Sequence, residues 1–177
     1  MAVGYGPPYN LRLPSKAMRP HLIPSLMLLV AGMASVGLSA DRRYAIVLHN
    51  SNANRSFTLT ELRALFSGAV ARWPNHETVV LVERESVDSA TRYLISRLLS
   101  TTDAEYHRRL AGIEFMGEDG AVLKTLHSDE AACQFVFNVP GAIALIDASS
   151  LDKPPCKRVR LAGVSGHLPA EEAYPLK

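Results

Sequence analysis

The sequence predicts an α/β domain whose sheet is covered by helices on both faces. Apolar residues form runs of strand length at 44–48, 78–82 and 142–146, and helical patterns separate these runs along the chain. Unbroken apolar runs of this kind are typical of strands that are buried on both faces. The chain has 177 residues, of which 47% are hydrophobic and 20% charged. This is the composition of a globular protein, and the length suffices for one domain.

The first predicted helix has a defined start and end. Thr58 and Glu61 have the spacing of a capping box, in which each side chain accepts a hydrogen bond from the other residue's backbone N–H. Gly68 is expected to end the helix. The apolar residues between these signals repeat at helical spacing and define one buried face. They are Leu59, Leu62, Leu65 and Phe66.

Three further helices are predicted from apolar periodicity and from capping residues. They span residues 89–99, residues 103–110 with Asp103 as the cap, and the stretch from Ser128 or Asp129 to about Asn138. Pro140 and Gly141 are expected to break the last of these helices before the third apolar run begins.

The remaining segments are interpreted as short strands and loops. Residues 113–115 and 159–161 each have one charged residue between two apolar ones, and each segment is predicted to form a short strand. Residues 83–88 are charged and residues 117–120 contain two glycines, so both are predicted to be loops. The tail from Gly163 is rich in Pro, Gly and Glu and is expected to be peripheral.

The first 40 residues are predicted to lie outside the folded domain. Residues 22–38 carry no charge, follow Arg19, and end among small residues, which is the pattern of a secretory signal peptide. Cleavage after Ala40 leaves a mature domain of residues 41–177 in the periplasm or outside the cell. The alternative, an uncleaved membrane anchor, is disfavoured because the segment is short and contains Pro24.

A start at Met18 gives the signal peptide its usual proportions. Residues 1–17 fit neither a signal peptide nor a fold, so we interpret them as a non-native extension. The domain organisation is therefore a non-native extension and signal peptide over residues 1–40, followed by a single domain over residues 41–177.

The charge of the mature part is close to zero. Three basic residues and no acidic residue precede position 41, which leaves 16 basic residues against 17 acidic ones. A domain with so little net charge has no field that would attract nucleic acid, and we expect no nucleic-acid partner. Lys157, Arg158 and Arg160 form a small basic patch, which is interpreted as a solvated strand face, with a binding site as the alternative.

The sequence contains two cysteines, Cys133 and Cys156. In an exported protein a disulfide between them is one expectation, but spacing alone does not show that they meet, and buried free thiols are preferred. They lack nearby histidines at ligand spacing, so no zinc site or other metal site is predicted. Neither the serine hydrolase, zinc protease nor phosphate-loop motif occurs, so we expect no enzyme activity and no cofactor.

Four segments, in order, resemble the second lobe of the phosphate ABC transporter substrate-binding proteins, which have the type 2 periplasmic binding protein fold. The segments are 57–68, 72–74, 80–91 and 138–144, the last of which reads Asn-Val-Pro-Gly-Ala-Ile-Ala. The resemblance covers about residues 44–150. It implies a mixed sheet in a single lobe, a short form of a family that binds its ligand between two lobes.

The resemblance also implies a site for an oxyanion such as phosphate. In that family an Arg after the second strand and a Ser-Gly-Thr at a helix start hold the anion. The corresponding residues here are Arg84, Ser89, Ala90 and Thr91, which we call the anion seat. A helix amino terminus offers unpaired N–H groups and partial positive charge, and Arg adds a planar fork. Asn50 and Ser51, after the first strand, are expected to lie at the same end of the sheet.

Three departures from the family pattern affect the anion seat. Ala90 replaces the central Gly, Asp88 places an acid before Ser89, and one extra residue separates Arg84 from Ser89. Asp88 or Ser89 is alternatively a simple helix cap. The sequence thus leaves two hypotheses, with the first preferred. The domain either contacts an oxyanion for phosphate uptake or sensing, with a second copy or another protein supplying the other half of the site, or it contacts a membrane or periplasmic partner without binding a ligand.

Overall fold

A computed structural model of the chain describes residues 42–85, 87–115, 117 and 120–177. The predicted signal peptide, the start at Met18 and the cleavage near Ala40 lie outside these residues. Within the described part of the chain, no helix is both long and apolar enough to cross a membrane.

In the described part of the chain, six strands form one mixed sheet. They are β1 (Tyr44–Leu48), β2 (Ser56–Phe57), β3 (Val80–Arg84), β4 (Val122–Leu126), β5 (Ala142–Asp147) and β6 (Arg160–Val164), and their spatial order is β2-β6-β1-β5-β3-β4. β1 runs antiparallel to both of its neighbours, β5 and β6, whereas β3 is parallel to β4 and β5, and β2 is parallel to β6. The predicted α/β class with a mixed sheet is confirmed.

Four α-helices connect these strands among the residues that the structure describes. They are α1 (Leu59–Phe66), α2 (Ser89–Tyr93), which continues as a π-helical turn (Leu94–Leu98), α3 (Asp103–Phe115) and α4 (Asp129–Asn138). The capping box of α1 forms as predicted between Thr58 and Glu61. Ser128 caps α4, because its side chain accepts a hydrogen bond from the backbone N–H of Ala131.

The helices pack on both faces of the sheet, as predicted. Successive residues of a strand point to opposite faces, so Ile46 and Leu48 pack with α1, α2 and α3, whereas Ala45 and Val47 pack with α4. The α4 face is built mainly from Ala and Val in the strands. All four of these β1 residues are fully buried, so β1 lies at the centre of the core.

α3 is longer than predicted, and its cap differs. The backbone N–H of Glu105 donates to the side chain of Thr102 at 3.2 Å, so Thr102 rather than Asp103 caps the helix. The strand predicted at 113–115 is wrong, because the helix continues to Phe115. Tyr106, Leu110 and Ile113 share one buried face at helical spacing, and burial of Ile113 stabilises this last turn.

β3 begins two residues later than the predicted strand at 78–82. It runs to Arg84, so Glu83 and Arg84 belong to the strand and not to the following loop. β2 and β4 were not predicted at all. β2 has two residues, and most of β4 is exposed or half-buried because it lies at the sheet edge, so neither has an apolar run to reveal it.

The tail after Gly163 is not peripheral, and that expectation is wrong. Tyr174 and Leu176 are both about 1% exposed and belong to the main core. The carbonyl of Leu176 accepts a hydrogen bond of 3.0 Å from the backbone N–H of Tyr44. The tail therefore covers the start of the central strand.

Cys133 and Cys156 form a disulfide, so the preference for free thiols is wrong. Their sulfurs are bonded, their Cα atoms lie 5.0 Å apart, and both residues are buried. The bond ties α4 to the short 3₁₀ turn Cys156–Arg158.

Candidate functional site

Arg84 lies where the carboxyl ends of the three parallel strands β3, β4 and β5 meet. Its Nη1 donates to Oδ1 of Asp129 at 2.5 Å, and its Nη2 donates to the carbonyl of His127 at 2.8 Å. Nη2 also lies 3.2 Å from Oδ2 of Asp88. The guanidinium is therefore held between two carboxylates of the chain itself.

Asp129 is a buried acid at the first turn of α4, and its carboxylate is fully engaged. Oδ1 accepts from Arg84, while Oδ2 accepts from the hydroxyl of Ser150 at 2.7 Å and from the backbone N–H of Asp147 at 3.3 Å. Its side chain is 9% exposed, and that of Arg84 is 14% exposed. Ion pairs this far from solvent are kept in place by their hydrogen bonds.

The amino terminus of α2 is also occupied by the chain's own groups. Asp88 caps the helix, and its Oδ1 accepts the backbone N–H of Ala90 at 2.8 Å. The hydroxyl of Thr91 donates to the carbonyl of Arg84 at 2.8 Å. Ser89 lies half-buried at the first helical position. Asp88 thus binds both the guanidinium and the helix amide that the resemblance assigns to an anion.

The anion seat therefore carries excess negative charge before any ligand is added. One guanidinium faces the carboxylates of Asp88 and Asp129. Close by, the exposed Glu85 contacts the imidazole of His127 at 2.6 Å. Among the residues that the structure describes, no cluster of His, Cys, Asp and Glu is arranged to hold a metal ion.

Asn50 and Ser51 lie at the opposite end of the sheet from Arg84, so the expectation that they share its end is wrong. β1 is antiparallel to β5, and Leu48 lies opposite Ile143, near the amino end of β5. There the side-chain amide of Asn50 donates to the carbonyl of Arg158 at 2.8 Å, and Ser51 contacts the ring of His49. Because β1 runs antiparallel to β5 and β3, the loop that follows β1 lies at the opposite end of the sheet from the loop that follows β3.

The structure brings Arg84, Ser89, Ala90 and Thr91 together, as the resemblance implies, and adds Asp129 and Ser150. Sequence reasoning named Asp129 only as a helix cap. The contact of Asp129 with Arg84 depends on β4, because β4 pairs with β3 and α4 begins directly after β4. β4 was not predicted from the sequence. The acidic start of α4 is the one sequence signal that pointed to Asp129.

Comparison with known proteins identifies the fold. An ABC-type phosphate transport receptor from Vibrio cholerae matches with a TM-score of 0.58 and 21% identity over 76% of this chain and 53% of its own. A phosphate ABC transporter substrate-binding protein from Clostridium perfringens, solved with bound phosphate, matches with a TM-score of 0.55 and 16% identity over 72% of this chain and 47% of its own. PstS from Borrelia burgdorferi matches with a TM-score of 0.56 and 12% identity over 72% and 49%.

The chain has the fold of a phosphate ABC transporter substrate-binding protein. It spans about half the length of the solved structures that it matches, in agreement with a single-lobe form. No protein-family model matches the sequence, and a search of curated proteins finds no significant match.

Proposed function

We propose that this chain is an exported, periplasmic interaction domain on a phosphate-binding-protein scaffold, and that it contacts another macromolecule rather than carrying phosphate. The observation that carries this proposal is the position of Asp88. Its two carboxylate oxygens contact the Ala90 amide and the Arg84 guanidinium, which are the groups that an oxyanion would need.

A phosphate ion entering the anion seat would have to displace Asp88 and would still face Asp129. Two like charges about 4 Å apart repel by about 4 kcal/mol at an effective dielectric constant near 20. The lobe also offers only one side of a site that lies between two lobes in the family. Both effects weaken oxyanion binding, which is why the second of the two sequence hypotheses is now preferred.

Export is supported by two independent features. The uncharged segment 22–38, followed by small residues, has the pattern of a signal peptide with cleavage near Ala40. The pairing of Cys133 with Cys156 fits an oxidising compartment such as the periplasm. Amino-terminal sequencing of the secreted protein tests this part, and we expect Asp41 as its first residue.

The alternative is weak oxyanion binding linked to uptake or sensing, and one observation favours it. The Nε of Arg84 is buried and has no hydrogen-bond partner among the described residues. A phosphate oxygen would satisfy it if Asp88 turned away. In this case a second copy of the chain, or another protein, would supply the other half of the site.

Calorimetric titration with phosphate and with sulfate distinguishes the two functions. We expect no saturable heat from the wild-type protein below millimolar anion. The double variant Asp88→Asn/Ala90→Gly keeps a capping side chain but removes the charge and the methyl group, so it should gain phosphate binding. Micromolar binding by the wild-type protein would show that Asp88 does not block the seat and would refute the proposal.

A further inference from the structure

A groove runs along the sheet edge that is farthest from the anion seat. Its main part is a cleft of about 340 Å³ between β2, α1 and the segment 70–74, and a smaller cavity of about 240 Å³ adjoins it. The two share Asn54, Trp73 and Pro74. We call this the edge groove. β2 and β3 are separated by three strands, which places the edge groove roughly 19 Å from Arg84.

The apolar floor of the edge groove is rigidly held. Trp73 donates its indole N–H to the carbonyl of Gly141 at 2.8 Å, and its ring lies 6.2 Å from that of Phe57. Leu65 and Val70 complete the apolar lining. A groove of fixed shape loses little conformational entropy when it is filled, which favours binding.

The backbone of β2 is available for pairing on its outer side. The carbonyls of Arg55 and Phe57 accept hydrogen bonds from Gly163 at 2.9 Å and from Ser165 at 2.7 Å. In an extended segment the residue between two such positions points its backbone N–H and C=O the other way, so Ser56 presents them to the groove side. β2 is the outermost strand of the described sheet on that side. An open strand edge beside an apolar cleft is the geometry that binds an extended peptide as an added strand.

The charges around the edge groove are mainly basic. Arg72 lines it, and Arg55 is exposed beside it. Glu61 is the acid in its lining, and the backbone N–H and hydroxyl of Thr58 bind its carboxylate and hold its pKa below the usual range.

We propose that the edge groove binds an extended acidic segment of a partner protein. The segment adds a strand to β2 through the backbone of Ser56. One of its aromatic or aliphatic side chains fills the cleft over Trp73, and its acidic side chains face Arg55 and Arg72. This inference rests on the proposed function as an interaction domain and names the chemistry of the partner.

Fluorescence anisotropy with defined peptides tests the inference on the purified protein. The probe is a fluorescein-labelled peptide of eight residues in which Glu alternates with Val around a central Phe. A matched peptide carries Lys in place of each Glu. We expect the acidic peptide to bind at least tenfold more tightly, and this preference should shrink at high salt. Equal binding of the two peptides, or no binding of the acidic one, would overturn the proposal.

Two variants test the contacts separately. Arg55→Glu/Arg72→Glu should reverse the order of the two peptides, whereas the control Arg97→Glu, an exposed site on the turn that continues α2, should not change it. Ser56→Pro removes the outward N–H and should weaken the acidic peptide at least tenfold, since Pro is tolerated at a sheet edge. An acidic peptide with N-methyl groups at alternate residues should also bind the wild-type protein at least tenfold more weakly. This peptide tests the same backbone pairing if the Ser56→Pro variant does not fold.

The outcomes separate this inference from the proposed function. Micromolar phosphate binding by the wild-type protein refutes the proposed function, whatever the peptides do. If phosphate gives no saturable heat and the acidic peptide does not bind, the edge-groove inference is refuted and the proposed function is not. If sedimentation shows a dimer that Ser56→Pro dissociates, the occupant is a second copy of the chain, and the inference of a separate acidic partner is wrong.

Discussion

The hydroxyl of Tyr106 on α3 donates a hydrogen bond of 3.0 Å to the buried carboxylate of Glu83 on β3. The other carboxylate oxygen accepts from the hydroxyl of Thr125 on β4 at 3.3 Å. Burial raises the pKa of Glu83 above its ordinary value of 4.5, and the Tyr106 bond partly opposes this rise. Burial and the nearby Glu83 charge also raise the pKa of Tyr106. These bonds link α3 to two neighbouring strands.

The raised pKa of Glu83 predicts a loss of stability as pH rises. The folded state binds the Glu83 proton more tightly than the unfolded state, so this group's contribution is fully present below pH 4.5 and is lost as pH rises through the folded pKa. Glu83→Gln keeps an acceptor but cannot ionise. We expect the variant to gain stability relative to wild type as pH rises from 4.5 to 8, measured by urea denaturation at several pH values. A constant difference across this range would contradict the expectation.

Tyr106→Phe tests the same pair from the other side. The variant leaves a buried carboxylate oxygen without its donor, which costs about 1–3 kcal/mol of unfolding free energy. Urea denaturation at pH 7 measures the loss. The control is Tyr93→Phe, because the hydroxyl of Tyr93 contacts backbone groups of the carboxyl-terminal tail, with the carbonyl of Pro175 at 3.5 Å, rather than a buried carboxylate. Equal losses for the two variants would show that the hydrogen bond to Glu83 adds no stability beyond that of an ordinary tyrosine hydroxyl.

The parts of this fold that the sequence predicts are those with local signals. β1 is an unbroken apolar run, α1 carries its own capping box, and α4 has Ser128 as its cap. β4 has no such signal, because an edge strand need not be apolar. Burial of Tyr174 depends on contacts with residues more than a hundred positions away, which no local pattern contains.

The candidate site was also predicted only in part. The family resemblance implied that Arg84 and Thr91 lie together, and the hydroxyl of Thr91 does bond to the carbonyl of Arg84. The ion pair between Arg84 and Asp129 requires the order of β3, β4 and β5 in the sheet. The distant position of Asn50 requires the direction of β1, which composition and periodicity do not encode.

Asp129→Ala should be strongly destabilising. It leaves the largely buried Arg84 with Asp88 as its remaining carboxylate and removes the acceptor for Ser150. Breaking a buried pair by removing one partner costs about 3–5 kcal/mol. The matched control is Glu130→Ala, which removes the next carboxylate and its surface pair with Lys153. We expect the control to cost at most about 1 kcal/mol. Similar losses in the two variants, measured by urea denaturation, would show that the buried pair contributes little.

The disulfide should contribute substantially to stability. Cys133 and Cys156 are 23 positions apart, and closing a loop of this length in the unfolded chain stabilises the native state by roughly 3 kcal/mol. We expect the variant Cys133→Ala/Cys156→Ala to unfold at a correspondingly lower urea concentration. A reducing agent should lower the stability of the wild-type protein but not that of the variant. A wild-type midpoint that reductant leaves unchanged after denaturation and refolding would refute this.

Leu176→Ala tests the structural role of the carboxyl-terminal tail. Leu176 is about 1% exposed and packs in the main core, so its truncation should cost about 2–5 kcal/mol. The control is Glu172→Ala at an exposed position of the same tail, where we expect less than about 0.5 kcal/mol. Thermal unfolding followed by circular dichroism compares the two. A tail that only lies on the surface would give no difference between them.

Gly141 and Gly112 provide a matched pair with opposite expected effects. Gly141 has φ +79°, and a Cβ atom there would lie 2.2 Å from the carbonyl oxygen of Thr78. Gly141→Ala therefore combines a left-handed backbone, which costs about 1–2 kcal/mol, with a backbone clash beneath the Trp73 hydrogen bond. Gly112 lies in α3, and a Cβ there meets nothing within 4 Å.

Gly112→Ala should raise the free energy of unfolding by about 0.5–1 kcal/mol, because Ala loses less backbone entropy than Gly in a helix. Gly141→Ala should lower it by at least about 2 kcal/mol. Urea denaturation of both variants measures the two changes on the same protein. Both variants add the same methyl group, so a difference between them reflects the backbone conformation and the surroundings of each glycine. If Gly141→Ala is as stable as the wild-type protein, the turn at Gly141 does not hold the edge-groove floor as described.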